Sequence, residues 1–204
     1  MKFCSECGHG VALAIPDGDN RPRHVCPQCG TIHYQNPKMV IGTIPVWEPA
    51  SAHDGQLQVL LCRRAIEPRH GYWTLPAGFM ENGETTGEAA VRETEEEAGA
   101  NIELGNLFTL LNVAHVHQVH LFYLARLLDL DFAPGEESLD VQLFTEADIP
   151  WDELAFPTIR TTLELFFADR VKMRESRDKH GEKLGYGVHC HDIVRPMIAP
   201  REPD

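Results

Sequence analysis

The spacing of apolar and polar positions predicts strands and two helices around a glycine loop. Met39 to Trp47 reads as a strand, and Pro45 within it predicts an edge position or a bulge, because proline removes a ladder donor. Leu57 to Arg63 is the returning strand, with a turn of small and polar residues from Pro49 to Gly55. Thr85 and Glu88 have capping-box spacing and Gly99 suits the position just past a helix end, so a helix is predicted from near Thr85 to near Ala98. Ile102 to Val113 and Val119 to Leu128 have strand character, joined by a hairpin connection over Ala114 to Gln118. In Leu139 to Phe144, Leu139, Val141 and Leu143 alternate with Asp140 and Gln142, the period of a half-buried strand. A second helix runs from Pro157 to Arg170, with Ile159, Leu163, Phe166 and Phe167 as its apolar stripe. Strands 39–47 and 57–63 are close enough to form a hairpin, so the sheet cannot be all parallel. The expected fold class is α/β, a mixed sheet between helices in an α/β/α sandwich.

Composition changes this picture little; charge changes it more. The 204 residues fit one main domain plus a small module, and a hydrophobic fraction of 43% supports an ordinary core. No apolar run approaches the length of a membrane span. A formal net charge of −13 argues against general nucleic-acid binding, which needs a basic footprint. Such a chain can hold a polyphosphate only where cations screen the site.

The candidate chemistry lies between Gly78 and Ala100. At about 100° per residue, Glu93, Glu96 and Glu97 fall within an arc of roughly 100° on one helix face, with Glu95 opposite. Like charges at this spacing destabilise a helix by several tenths of a kcal/mol per pair, roughly, and the negative end of the helix dipole disfavours them further. A hard divalent cation removes both objections. Arg92, one turn before Glu96, is placed to orient it. The competing reading is a solvated acidic face, which most charge runs are.

A second signal is Cys4-Ser5-Glu6-Cys7-Gly8 followed, after eighteen residues, by Cys26-Pro27-Gln28-Cys29-Gly30. This is the spacing of a tetrahedral Zn2+ site, and four thiolates make a closed, structural one. Disulfides and a redox pair are the alternatives. The chain opens without an apolar secretory segment, and no βαβ pattern surrounds either pair, so both are disfavoured. His9, His24 and His33 are expected to be bystanders. Cys62 sits in an apolar run and reads as a core residue, whereas Cys190, between His189 and His191, reads as part of an exposed polar tail. His115, His117 and His120 read as solvated loop residues. Arg63 and Arg64 are candidates for substrate phosphates, although adjacent strand residues face opposite ways and only one can serve.

The full spacing carries a resemblance. Gly78, five residues, Glu84, seven residues, Arg92-Glu93, two residues, Glu96-Glu97, one residue, Gly99 resembles the signature of the Nudix hydrolases. Thr94 departs from it, standing where the family usually has an aliphatic residue; a half-buried threonine is tolerable there. The blocks YQNPKMVIG, LLCRRAIEPRHGYWTLPAGF, FAPGEESLD, LFTEADIP and LAFPTIR, behind a zinc ribbon, are similar to a subgroup related to plant FAD pyrophosphatases and ADP-ribose pyrophosphatases.

The resemblance implies a Nudix α/β/α sandwich over 38–170; the cysteine spacing marks a zinc ribbon over 1–33, and the charged, Gly/Pro-punctuated stretch 171–204 reads as an extension, peripheral or partly disordered. It implies Mg2+ or Mn2+ on Glu93, Glu96 and Glu97, assisted by a carbonyl at Ala77 or Gly78, with Glu84 and Arg92 supporting the loop and helix. Water would attack a phosphorus of a diphosphate bridge. The base would be Glu137, or its neighbour Glu136, on a mobile loop, with Glu96 or Glu97 as rivals. FAD, cut to FMN and AMP, is the expected substrate, with ADP-ribose or NADH next; Trp47, Tyr72, Trp73 and Phe79 are candidates to stack on its rings, a core role being the default for each. A nucleotide-sensing module without catalysis is the alternative of another class. The expected partner is a nucleotide-diphosphate small molecule, with neither membrane nor nucleic acid, a homodimer as the candidate assembly, and the cytoplasm as the compartment.

Overall fold

A computed structural model describes residues 1–48, 57–180 and 185–194; the turn expected over 49–55 lies outside the described residues. The chain divides into two compact units, Met1–Pro37 and Lys38–Asp204.

The first unit is a three-stranded antiparallel sheet of β1 (Ala12–Ala14), β2 (Arg23–Val25) and β3 (Ile32–His33), in that order. It has almost no apolar core. Cys4 and Cys26 are its buried hydrophobic residues, whereas Phe3, Leu13 and Ile15 are exposed.

The second unit is built on β4 (Lys38–Trp47), β5 (Gln58–Arg64), β6 (Trp73–Thr74), β7 (Ala77–Phe79), β8 (Ile102–Val113), β9 (Gln118–Leu127), β10 (Ser138–Phe144) and β11 (His189–Asp192). The sheet order is β10-β5-β4-β9-β8-β11, with β6 on β5 and β7 on β4. Pairs β4/β9 and β8/β11 are parallel and the others antiparallel, so the sheet is mixed.

The period of two along each strand assigns residues to opposite faces. Ile41 and Leu121 pack with Ala89 and Ala90 of α1 (Thr86–Ala98), whereas Ile44 and Phe122 pack with Ile159, Leu163 and Phe166 of α2 (Pro157–His180). One helix therefore covers each face. The capping box forms as the spacing predicts: the Glu88 amide donates to the Thr85 hydroxyl and the Thr85 amide to the Glu88 carboxylate. Gly99 closes α1 in the left-handed conformation at φ 58°, its amide donating to the Glu95 carbonyl.

Four expectations are corrected. Pro45 is not in an edge strand, for β4 lies inside the sheet. Its lost donor does no harm because β4 changes partner there, pairing with β7 over Val40–Gly42 and with β5 only from Val46. Leu139 is exposed, because a register shift between Ser138 and Asp140 turns it outward. Thr94 is fully buried rather than half-buried; its hydroxyl donates to the Ala90 carbonyl and meets the Thr43 hydroxyl at 2.6 Å, so no orphan polar atom results. Among the described residues after Arg170 there is regular structure: α2 continues to His180, and Cys190 belongs to β11, parallel to β8. Tyr186 stacks on Phe166 at 5.8 Å, and His189 pairs with Asp169 at 2.7 Å, which ties this segment to α2. Among the described residues, no helix is long and apolar enough to cross a membrane.

Candidate functional site

Strand β7 lays its glycine against the start of the acidic helix face. A Cβ at Gly78 would overlap the Glu93 carboxylate, so only glycine lets strand and carboxylate approach this closely. The Ala77 amide donates to Glu97 Oε2 at 3.2 Å. Glu93 and Glu97 are both buried, while Glu96 stays exposed at 59% of its side chain and Glu95 is exposed.

Arg92 ties the arrangement together. Its Nε and Nη2 donate to both oxygens of Glu84 at 3.0 and 2.8 Å, its Nη1 to Glu93 and Glu96 at 2.8 and 2.9 Å, and its Nη2 to the Phe79 carbonyl at 3.2 Å. The Glu81 amide donates to Glu84 as well. The Arg92 guanidinium holds the Glu84 carboxyl down at about 2. Sequence spacing showed only the Arg92–Glu96 pair; the link to Glu84 depends on the loop folding back.

One arginine does not neutralise this cluster. Burial pushes the Glu97 carboxyl up to about 8, with Glu93 and Glu137 adding to the rise. Burial also raises that of Glu93, and the like charges of Glu96 and Glu137 add to the rise. Two buried carboxylates facing a third, with the Arg92 guanidinium already shared among four acceptors, fit a hard divalent ion of oxygen preference.

Glu136 and Glu137 lie in a turn that leads into β10, and the loop before it is tied down by backbone hydrogen bonds. The segment before it seals the C-terminal end of α1: the Ala133 amide donates to the Ala98 carbonyl at 2.9 Å and the Gly135 amide to the Glu97 carbonyl at 3.1 Å. The Glu137 carbonyl accepts from the Ala65 amide at 2.7 Å. These contacts satisfy carbonyls that a helix end leaves unpaired. A Cβ at Gly135 would overlap the Glu96 carbonyl. Gly135→Ala is therefore expected to cost about 1–3 kcal/mol of stability through overpacking, read as a fall in Tm; a Tm equal to wild type would show the loop free to move.

Arg63 and Arg64 separate as strand geometry demands. Arg64 lies over Phe156 at 5.2 Å, donates to the Pro68 carbonyl at 3.0 Å and lines the carboxylate cleft. Arg63 donates to the Gly71 carbonyl and is outside it. Of the four aromatic candidates, Phe79 lines the cleft and is half-exposed, whereas Trp73 is buried against Phe144. Trp47 packs on the core and Tyr72 lies under Arg69.

The cleft has a volume of about 1000 Å³ and brings Gly78, Arg92, Glu93, Glu96, Glu97, Glu136 and Glu137 together. It also includes His115, His120, Phe156 and Thr158, which the sequence reading did not assign to it. His120 shares strand parity with Phe122 on the α2 face, the one signal that could have marked it as inward-facing. Its ring is half-buried, and burial holds its imidazole down at about 4. The unfolded chain takes up this proton near pH 6.5 and the folded chain not until near pH 4, so the neutral ring contributes stability above 6.5 that is lost as pH falls towards 4. The expected loss is about 3 kcal/mol. Denaturant titrations at pH 7 and 4.5 should show a smaller acid loss in His120→Leu; equal losses would contradict this.

In the ribbon, the four cysteine sulfurs lie within 4.8 Å of one another. Pairs Cys4–Cys29, Cys7–Cys26 and Cys7–Cys29 are 3.7, 3.5 and 3.5 Å apart. Tetrahedral Zn2+ with bonds of about 2.3 Å needs sulfurs about 3.8 Å apart, and all four cysteines are free thiols. The two knuckles repeat one geometry, the Gly8 amide donating to the Cys4 carbonyl and the Gly30 amide to the Cys26 carbonyl. His33 Nε2 stands 3.2 Å from Cys4 Sγ, outside the four-sulfur cluster.

Comparison with known proteins agrees with both units. A Nudix N-terminal zinc-ribbon model matches residues 2–35, and the NUDIX domain model matches residues 50–166. A NUDIX hydrolase structure from Nitrosomonas europaea is 47% identical with a TM-score of 0.80, covering 95% of this chain and 100% of that one. The NAD-capped RNA hydrolase NudC of Photobacterium profundum is 30% identical over 72% of this chain and 48% of its own length. The ADP-ribose pyrophosphatase of Methanocaldococcus jannaschii is 29% identical over 53% of this chain and 68% of its own. The chain thus spans about half the length of the NudC relative. With the domain match covering more than half of its residues, and the glutamate helix, arginine knot and glycine approach inside that match, the chain belongs to the Nudix family.

Proposed function

We propose that this chain is a divalent-metal-dependent pyrophosphatase that hydrolyses the diphosphate bridge of a nucleotide derivative, with FAD, cut to FMN and AMP, as its first substrate. The observation that carries this reading is the pair of buried carboxylates, Glu93 and Glu97, facing Glu137 in a cleft large enough for a nucleotide. Glu93, Glu96 and Glu97 would hold Mg2+ or Mn2+, with Gly78 leaving room for the carboxylate. When bound, the ion neutralises charge on the diphosphate and lowers the pKa of water.

Each residue then has a defined part. Arg92 keeps Glu93 and Glu96 oriented through the same guanidinium that anchors Glu84. Glu137, fixed by its backbone, accepts the proton of the attacking water, with Glu96 and Glu97 as rivals for that part. The water oxygen bonds to one phosphorus, the bridging P–O bond breaks, and the departing phosphate leaves with the bridging oxygen. Arg64, over the Phe156 ring, meets a non-bridging phosphate oxygen. Arg63 has no part in this, since it points elsewhere. The four ribbon thiolates would hold a structural Zn2+.

ADP-ribose is the second reading, favoured by the pyrophosphatase relative from Methanocaldococcus jannaschii. The NudC relatives act on NAD-capped RNA; against RNA here stands the net charge of −13.

The test is incubation with Mg2+ and, separately, FAD, ADP-ribose, NADH and NAD, with products resolved by chromatography. FMN and AMP from FAD, absent when a chelator replaces Mg2+, is the expected result. Cleavage of ADP-ribose or NADH alone would overturn the flavin reading and keep the chemistry. Cleavage of none, with Mg2+ or Mn2+, would favour a sensing module.

A further inference from the structure

Among the described residues of the second unit, two polar atoms are closed off from solvent without a hydrogen-bond partner, and both belong to residues of the carboxylate cleft. They are His120 Nδ1 and Thr158 Oγ1. Buried polar groups are paired as a rule, so two orphans in the wall of one cleft require an explanation.

His120 Nε2 lies 2.9 Å from Gln118 Oε1, and in the tautomer that donates to this oxygen Nε2 carries the proton. Nδ1 is then a bare acceptor on a neutral ring. Thr158, 3% exposed in the first turn of α2, offers a hydroxyl that can donate or accept. His120 is fixed by its strand, between Val40 of β4 and Leu111 of β8. The same cleft carries an apolar lining of Val113, Val116, Phe156, Ile193 and Val194, the last two from the segment that follows β11.

We propose that His120 and Thr158 recognise the edge of a planar heteroaromatic ring that presents an N–H donor beside an acceptor, the ring faces lying against the apolar lining. His120 Nδ1 accepts from the ring N–H, and the Thr158 hydroxyl donates to the neighbouring ring nitrogen or carbonyl. The ring parts the side chains that close these atoms off, exchanging apolar packing for its own faces and satisfying both orphans together. This rests on the reading of the cleft as a nucleotide-diphosphate site. Adenine, with an amino group beside a ring nitrogen, and isoalloxazine, with an imide N–H between carbonyls, share this chemistry; the experiment tells them apart.

Binding is measured without hydrolysis, by titrating AMP and FMN separately into the full-length protein and its variants. One of the two should weaken roughly tenfold in Thr158→Val and recover in Thr158→Ser, as for one lost hydrogen bond. Loss in the AMP arm identifies adenine, and loss in the FMN arm identifies isoalloxazine. The analogue lacking the donor, N6,N6-dimethyl-AMP or N3-methyl-FMN, should bind weakly and equally to wild type and His120→Leu. The proposal is overturned if neither AMP nor FMN binds, if both bind Thr158→Val as they bind wild type, or if methylation leaves affinity unchanged. Failure of the hydrolase reading looks different: the Thr158 effect on binding persists while no diphosphate is cleaved.

Discussion

Glu97→Gln is expected to lower turnover of the diphosphate substrate by on the order of 10²–10⁴-fold while the protein stays folded. Its carboxylate is buried, accepts from the Ala77 amide, and faces Glu93 and Glu137. Glutamine keeps the shape and the acceptor for Ala77, so the α1–β7 contact survives. It removes a charge that the proposed cation site needs, and a catalytic ion supplies several kcal/mol of transition-state stabilisation. The variant also loses one of three buried or facing carboxylates, so its Tm without metal should equal or exceed that of wild type. Kinetics at saturating Mg2+ together with a melting curve decide the matter. Turnover within tenfold of wild type would remove Glu97 from the machinery.

The second large effect is loss of the ribbon on removal of Zn2+. A strong thiol-compatible chelator should unfold residues 1–37 and leave the second unit standing. Units below about 40 residues usually need a metal or disulfides to fold, and this one has free cysteines, an exposed β1 and almost no buried side chains apart from Cys4 and Cys26. Zn2+ binding to such modules contributes about 10 kcal/mol or more, all of it folding free energy. Hydrogen exchange should show protection vanish over 1–37 and persist in β4, β8 and β9. Protection unchanged in the ribbon would refute the zinc assignment.

Local rules made much of this legible in the sequence. Helix α1 was readable end to end because a capping box and a glycine stop are short-range devices. The glutamate face was readable because helical periodicity fixes which residues share a side. Sequence did not resolve features set by long-range pairing. Pro45 looked like an edge marker because nothing local reveals that β4 exchanges β7 for β5 at that point. Leu139 broke the alternation through a register shift set by β5. The segment after Arg170 looked peripheral because its charges hide a solvated helix and a strand that pairs with β8, some 80 residues earlier. In the site, spacing named the carboxylates and Arg92, but not the Arg92–Glu84 bidentate pair. His120 and Thr158 were invisible as a pair because a strand and a helix from distant parts of the chain bring them to one cleft.

The central claim is that the buried glutamates form a divalent-cation site, and Mn2+ binding followed by the loss of its free-ion electron paramagnetic resonance signal tests it most directly. Wild-type protein should take up at least one Mn2+ per chain in competition with Mg2+, and a Glu93→Gln/Glu97→Gln variant with an unchanged melting curve should take up none. Equal uptake by the two proteins, or none by wild type, would contradict the account.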